Sequence, residues 1–204
     1  AITGGASTGT WSVSPTNGGV FGNVNNLQTT FTPSITSGSL WLYLTSANPA
    51  GPCGSVKDSL QITINPIAVV NAGLNQQVCL VPNATVSLSG TISGGATTGT
   101  WSSSGDGTFN DVTSLTPTYT PGAQDISNLS VIFTLTSIDP LGPCTSEHDT
   151  MKVKFFINPI VDAGNNATIC SDSTLNISGA ITGGASTGTW SVSPTNGGVF
   201  GNVN

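Results

Sequence analysis

Four cysteines, a single histidine and nine acidic residues carry most of the reactive chemistry available to this 204-residue chain. Cys79 and Cys144 fall within one repeat unit, and a disulfide between them is the favoured pairing. In the chain-entropy model it would stabilise the unit by about 4 kcal/mol. That pairing leaves Cys53 and Cys170 unpaired. The alternative joins Cys53 to Cys79 and Cys144 to Cys170, each pair 26 residues apart. Either arrangement points away from a reducing cytosol. Zinc is a poor fit, because there is no CxxC and His148 is the lone histidine. His148 beside Asp149 suggests a general base, yet the matching segment of the neighbouring repeat carries Lys57-Asp58, so the repeat does not require one. Asp106 and Asp111 in SGDGTFND resemble a calcium loop only weakly, with too few carboxylates, and Asp162 is the other acid weighed for that role. The reading is therefore no catalytic residue, no metal, no cofactor and no enzyme.

The elements that would position these residues are strands. Thr85–Ile92 alternates, with Val86, Leu88, Gly90 and Ile92 on a core face. Ile67–Gly73 and Val78–Leu80 precede it. After Gly94-Gly95 come Thr98–Ser102, carrying Trp101, and a turn at Ser104–Gly107. Thr118–Thr120 is a short strand ending at Pro121. Leu129, Val131, Phe133 and Leu135 then form one inward face, and Met151, Val153, Phe155 and Ile157 another, with a turn at Pro140–Cys144 between them. About seven strands without helical periodicity predict an all-β, Ig-like antiparallel sandwich. The outward positions carry aromatics: Trp41 and Tyr43 alternate with Leu40, Leu42 and Leu44, while Ile132 and Phe156 lie outward in the next repeat.

The chain is a tandem array. The 25 residues AITGGASTGTWSVSPTNGGVFGNVN at 1–25 return unchanged at 180–204, so Trp190 stands 179 residues after Trp11, with a diverged copy around Trp101 between them. Two module types alternate, which gives an incomplete repeat at 1–66, a complete one at 67–158 and the start of the next at 159–204. A unit near 90 residues suits small domains strung in series. Asn158-Pro159-Ile160 leaves almost no linker, so neighbouring modules should be stiffly joined. Only 6% of residues are charged, with three lysines and no arginine, and the pI is near 4.1. That balance excludes a basic surface for nucleic acid or anionic membrane, and no apolar run is long enough to span a bilayer.

The series VDAGNNATIC, LNISGAITGGASTGTW, PTYTPGAQDI and FTLTSIDPLGPCTSEHDTMKV resembles the Ig-like/PKD-like repeats of giant Bacteroidota surface proteins exported by the type IX secretion route, including gliding adhesins. The resemblance covers essentially the whole chain and implies an extracellular, cell-surface stalk. The first module departs from the pattern, with Thr30-Phe31-Thr32-Pro33 in place of the tyrosine strand and the GAQDI segment shortened to Ser34-Ile35. Surface proteins of that group are often O-glycosylated at Asp-Ser/Thr, which marks Ser59, Thr150 and Ser173 as candidate sites. Two functions follow. The first is a structural fibre in which copies of the chain pack side by side through Trp41, Tyr43, Ile132 and Phe156. The second is an adhesin that stacks glycans on those same aromatics.

Overall fold

A computed structural model of the chain describes residues 4–138 and 142–201. The turn expected over Pro140–Cys144 begins outside them, at 140 and 141. The first three residues of one 25-residue copy and the last three of the other lie outside them as well. The fold is all-β, an Ig-like arrangement of mainly antiparallel sheets. The chain divides into two compact units, one of Ala1–Val70, Ile92–Thr98 and Thr136–His148, the other of Asn71–Thr91, Gly99–Leu135 and Asp149–Asn204.

In the first unit the alternating apolar residues build β1 (Gly9–Ser14), β2 (Gly19–Phe21), β3 (Phe31–Pro33), β4 (Gly38–Ser46) and β5 (Lys57–Ile64). The main sheet runs β1-β4-β5, and β2 pairs with β3. Leu40 lies opposite Ile62 and Leu42 opposite Leu60, which places one face of the sheet inward. Leu40 and Leu42 are buried, while Leu60 is exposed, so the expected core stripe fades along β5. Trp11 stacks on Phe21 at 5.9 Å, and Phe21 meets Phe31 at 4.9 Å. β6 (Ala68–Asn71) begins directly after the Asn65-Pro66 step.

The second unit holds the fuller core. The remaining elements are β7 (Gln76–Leu80), β8 (Val86–Ser87), β9 (Thr91–Gly94, which pairs with β6), β10 (Gly99–Ser103), β11 (Thr108–Phe109), β12 (Thr118–Thr120), α1 (Ala123–Asn128), β13 (Ser130–Ser137), β14 (His148–Ile157), β15 (Ile160–Asp162) and β16 (Ala180–Thr182). One sheet runs β10-β13-β14-β7 and a second runs β11-β12-β8, the two layers of an Ig-like sandwich. β7 is parallel to β14, with Val153 opposite Gln76 and Phe156 opposite Cys79. The predicted strand Thr85–Ile92 is interrupted at Leu88–Gly90, where the N–H groups of Leu88 and Gly90 instead donate to Pro117 O and Leu115 O at 2.9 Å. Val86, Leu88, Trp101, Tyr119, Val131, Phe133, Leu135, Met151, Val153 and Phe155 are buried between the sheets. Tyr119 from one sheet meets Phe133 from the other edge-on at 4.7 Å.

Three further details differ from the sequence reading. Leu129 is an exposed left-handed helix cap (φ 51°) ahead of β13, because the unexpected helix α1 ends there. Ile157 is exposed at the end of β14. And β7 joins the sheet by parallel pairing, a contact that alternation of side chains does not encode.

Gly90 decides how closely the sheets meet. A Cβ at that position would stand 2.8 Å from Trp101 Cζ2 and would also strike Leu135. The same relation recurs between Gly179 and Trp190, where a Cβ would again stand 2.8 Å from the indole Cζ2. Replacing a strand glycine by alanine ordinarily gains about 0.4–1 kcal/mol through the unfolded chain. Overpacking costs about 1–3 kcal/mol and should win here. Gly90→Ala is therefore expected to lower stability by about 1–2 kcal/mol in urea unfolding, and an unchanged midpoint would refute this packing account.

Candidate functional site

The outward face of β4 is the most chemically distinctive surface. Trp41 is 43% exposed, and Tyr43, next but one along the strand, lies opposite Ser12 on β1 and Ser59 on β5. Lys57 Nζ sits 3.6 Å above the Tyr43 ring, a cation–π contact between neighbouring strands. The strand therefore brings Trp41, Tyr43 and Ser59 onto one face, with the candidate glycosylation hydroxyl beside the tyrosine. Ile132 and Phe156, 44% and 49% exposed, face outward from β13 and β14. Phe156 is registered beside Cys79. Thr150 lies exposed on β14, and Ser173 lies in an exposed turn where its N–H donates to Cys170 O at 3.1 Å.

The cysteines correct the sequence reading. All four are free thiols; the Cys79–Cys144 bridge is not formed, nor is Cys53–Cys79 or Cys144–Cys170. Register explains the first. Cys79 stands opposite Phe156 near the far end of β14, whereas Cys144 precedes the first residue of that strand, His148. At about 3.3 Å per residue the intervening strand far exceeds the roughly 7 Å that a disulfide can span between Cα atoms. Cys144 Sγ instead lies 3.6 Å from Asn65 O.

The acidic residues serve the backbone. Asp106 accepts from Gln124 N (3.1 Å) and Asp125 N (3.3 Å), capping α1. Asp111 closes a local turn, and the Thr113 hydroxyl and N–H that it accepts hold its carboxyl below the usual carboxylate range. Asp162 accepts from Gly164 N at 2.8 Å. Asp149 Oδ2 accepts from Ala72 N at 2.9 Å, so this acid ties strands together beside an exposed His148.

The sequence reading missed Asp125. It is 1% exposed and accepts from Tyr119 Oη (2.7 Å), Gly122 N (3.0 Å) and Gly107 N (3.2 Å). The available signal was the joint appearance of Tyr119 and the GAQDI segment in one module type, against Phe31 and a shortened segment in the other. A phenylalanine offers no hydroxyl for a buried carboxylate to accept.

Each unit also has a cleft beside a tryptophan. In the first, Trp11, Leu27, Leu42, Leu44 and Leu60 line an open space of about 390 Å³. In the second, Val161, Gly179, Ile181 and Trp190 help line one of about 1040 Å³.

No family model matches the chain, and no curated protein matches it. Solved structures do. A mouse cadherin-23 segment (EC22-24) is similar over 80% of this chain and 59% of its own, at 8% identity and TM-score 0.40. Protocadherin gamma B7 extracellular cadherin domains 1-4 match over 89% and 51%, at 12% identity and TM-score 0.35. Drosophila OTK extracellular domains 3-5 match over 79% and 57%, at 11% identity and TM-score 0.34. The chain thus spans little more than half the length of these structures.

Burial first, together with the carboxylate of Asp125, pushes the Tyr119 phenol above its ordinary value near 10. Below that value the folded and unfolded chains are both protonated and the contribution is intact. As pH rises above it the unfolded chain ionises first, and stability is lost. With Tyr43→Phe leaving Tyr119 as the sole tyrosine, absorbance at 295 nm should titrate above pH 10 and together with unfolding. A phenol that ionises near 10 in the folded chain would contradict the network. Asp125→Ala, which orphans three donors, should cost about 3 kcal/mol.

Proposed function

We propose that the chain is a stretch of a giant, repetitive extracellular stalk in which modules 1–66, 67–158 and 159–204 continue in tandem. Several chains run side by side as a homomeric fibre used for attachment. The observation that carries this reading is complementarity between two partial modules. The first unit contains counterparts of β10 to β14, namely β1 to β5, with an open cleft beside Trp11. Residues 159–201 contain counterparts of β6 and β9, namely β15 and β16, with an open cleft beside Trp190. The 25 residues they share overlap the two halves in sequence, so together they describe one whole module of the alternate type, with the strand order of 67–158. Supporting it are the short step from β14 to β15 across Asn158-Pro159 and the scarcity of charge, which lets like surfaces approach without accumulated repulsion.

The resemblance to Bacteroidota repeats supports export by the type IX route and a bacterial cell-surface location. It also supports O-linked sugar at Ser59, Thr150 and Ser173, all three of which are exposed. The lateral contact is assigned to Trp41 and Tyr43, with Ile132 and Phe156, because a weak contact repeated at every 179-residue period gains avidity along the array. The competing adhesin reading assigns the same aromatics to glycan stacking, which the pairing of Trp41 with Tyr43 on one flat face favours.

A polypeptide of several 179-residue periods is expected to form bundles by light scattering and microscopy. Trp41→Ser with Tyr43→Ser in every copy should leave it monomeric. A monomeric parent, or a variant that bundles equally well, would refute the fibre, and aromatic-dependent retention on a glycan array would favour the adhesin. Native material should exceed the polypeptide mass by whole sugar units, and a bare mass would remove the glycosylation assignment.

A further inference from the structure

Both module types carry a cysteine in the hairpin before their last strand, seated by the same device. In the first unit, Ser46 N donates to Val56 O (2.9 Å) and Val56 N donates to Ser46 Oγ (3.0 Å). In the hairpin before β14, Ser137 N donates to Glu147 O (2.8 Å) and Glu147 N donates to Ser137 Oγ (2.9 Å). Both serines are buried. Cys53 and Cys144 each follow their serine by seven residues, in GPC. The two hairpins also meet the preceding strand alike, through Ala47 N to Thr8 O and Ile138 N to Thr98 O. Equal spacing and equal anchoring place the two thiols at equivalent points of their modules.

That point is the junction with the module before. Cys144 Sγ lies 3.6 Å from Asn65 O, the residue of the Asn-Pro step that opens the complete module. The next Asn-Pro step is Asn158-Pro159. Cys79 is exposed on β7 and paired in parallel with Phe156, two residues before Asn158. Neighbouring strands lie about 4.8 Å apart, and two strand residues advance about 6.6 Å. These offsets put Asn158 about 8 Å from Cys79, so a thiol seated at Asn158 as Cys144 is seated at Asn65 has to lie on the Cys79 side of that step for the bridged Cα atoms to fall about 4.4–6.8 Å apart. Cys170, in VDAGNNATIC, is the counterpart of Cys79 in VNAGLNQQVC. The second module type presents its strand cysteine in the same way.

We propose that the cysteines bridge successive modules, each strand cysteine bonding to the hairpin cysteine of the module that follows. Cys79 joins the copy of Cys53 one 179-residue period onward, and Cys144 joins the copy of Cys170 one period back. The inference rests on the tandem-array reading. It accounts for four free thiols at once, because each partner lies one period away. In forming each bridge two S–H bonds break and one S–S bond forms. The two protons and two electrons pass to the disulfide of an exported dithiol oxidant, which leaves as the dithiol. Every junction is then crossed by a covalent link beside the peptide chain, so tension along the stalk does not rest on the Asn-Pro segment alone.

The test uses the whole 204-residue chain lengthened at its end by a second copy of residues 26–66, which completes the module begun at 159. Cys53→Ser in the first copy makes the remaining copy unique. After secretion through an oxidising compartment, non-reducing peptide mapping should show Cys79 joined to the second-copy Cys53, with Cys144 and Cys170 blocked as free thiols. Adding Cys79→Ser should return the second-copy Cys53 to the free pool without changing the β-sheet circular dichroism. A Cys79–Cys144 or Cys170–Cys53 link, or a free Cys79 in folded protein, would overturn the proposal. Native material lacking the 179-residue recurrence would instead overturn the array reading, and the link in the lengthened chain is scored independently of it.

Discussion

The close approach of Trp101 to a segment with no side chain at position 90 sets the separation of the two sheets. Everything packed around that contact follows from it. With the indole against Gly90, Leu135 closes one side, and the Tyr119–Phe133–Phe109 cluster fills the rest of the interior with edge-on rings 4.7–5.8 Å apart. A domain of this size buries a modest share of its surface, so a few large aromatic contacts must supply much of its cohesion. The pair is inherited as a unit, since Gly179 and Trp190 repeat both the spacing and the contact.

Alternation made the sheets legible. The inward residues of β13 and β14, and the outward Trp41 and Tyr43, were readable because each strand has one wet face, and period two distinguishes it. What escaped were features without a period. Helix α1 has six residues and a glycine N-cap, too short for an amphipathic pattern. Asp125 looked like a surface acid until Tyr119 and two backbone N–H groups turned toward it. The parallel pairing of β7 with β14 is a long-range contact with no local signature, and it is the feature that separates Cys79 from Cys144. Counting cysteines within a repeat suggests a staple inside the repeat; register moves each thiol to an opposite end of it.

The two module types solve one interior problem in different ways. Where Tyr119 enters the core, its hydroxyl needs an acceptor, and Asp125 supplies one only because Asp106 caps the helix that carries it. Where Phe31 takes the tyrosine's place, the hydroxyl, the carboxylate and the helix disappear together. The difference is thus confined to one connection, and the hairpin, the tryptophan strand and the Asn-Pro step stay common to both.

The junction is where sequence economy and mechanics meet. Asn65-Pro66 and Asn158-Pro159 allow only a short step between the last strand of one module and the first of the next. Proline fixes its own backbone angle and restricts the residue before it. A short step bearing proline has less conformational freedom than a Gly/Ser tether. The proposed bridge between a hairpin thiol and a strand thiol, and the proposed recurrence of Trp41 and Tyr43 along one face, both require a constant orientation across that step. The two proposals therefore depend on the same local constraint. An insertion of a few glycines after Asn158 would disable both at once, although each module would still fold around its own tryptophan.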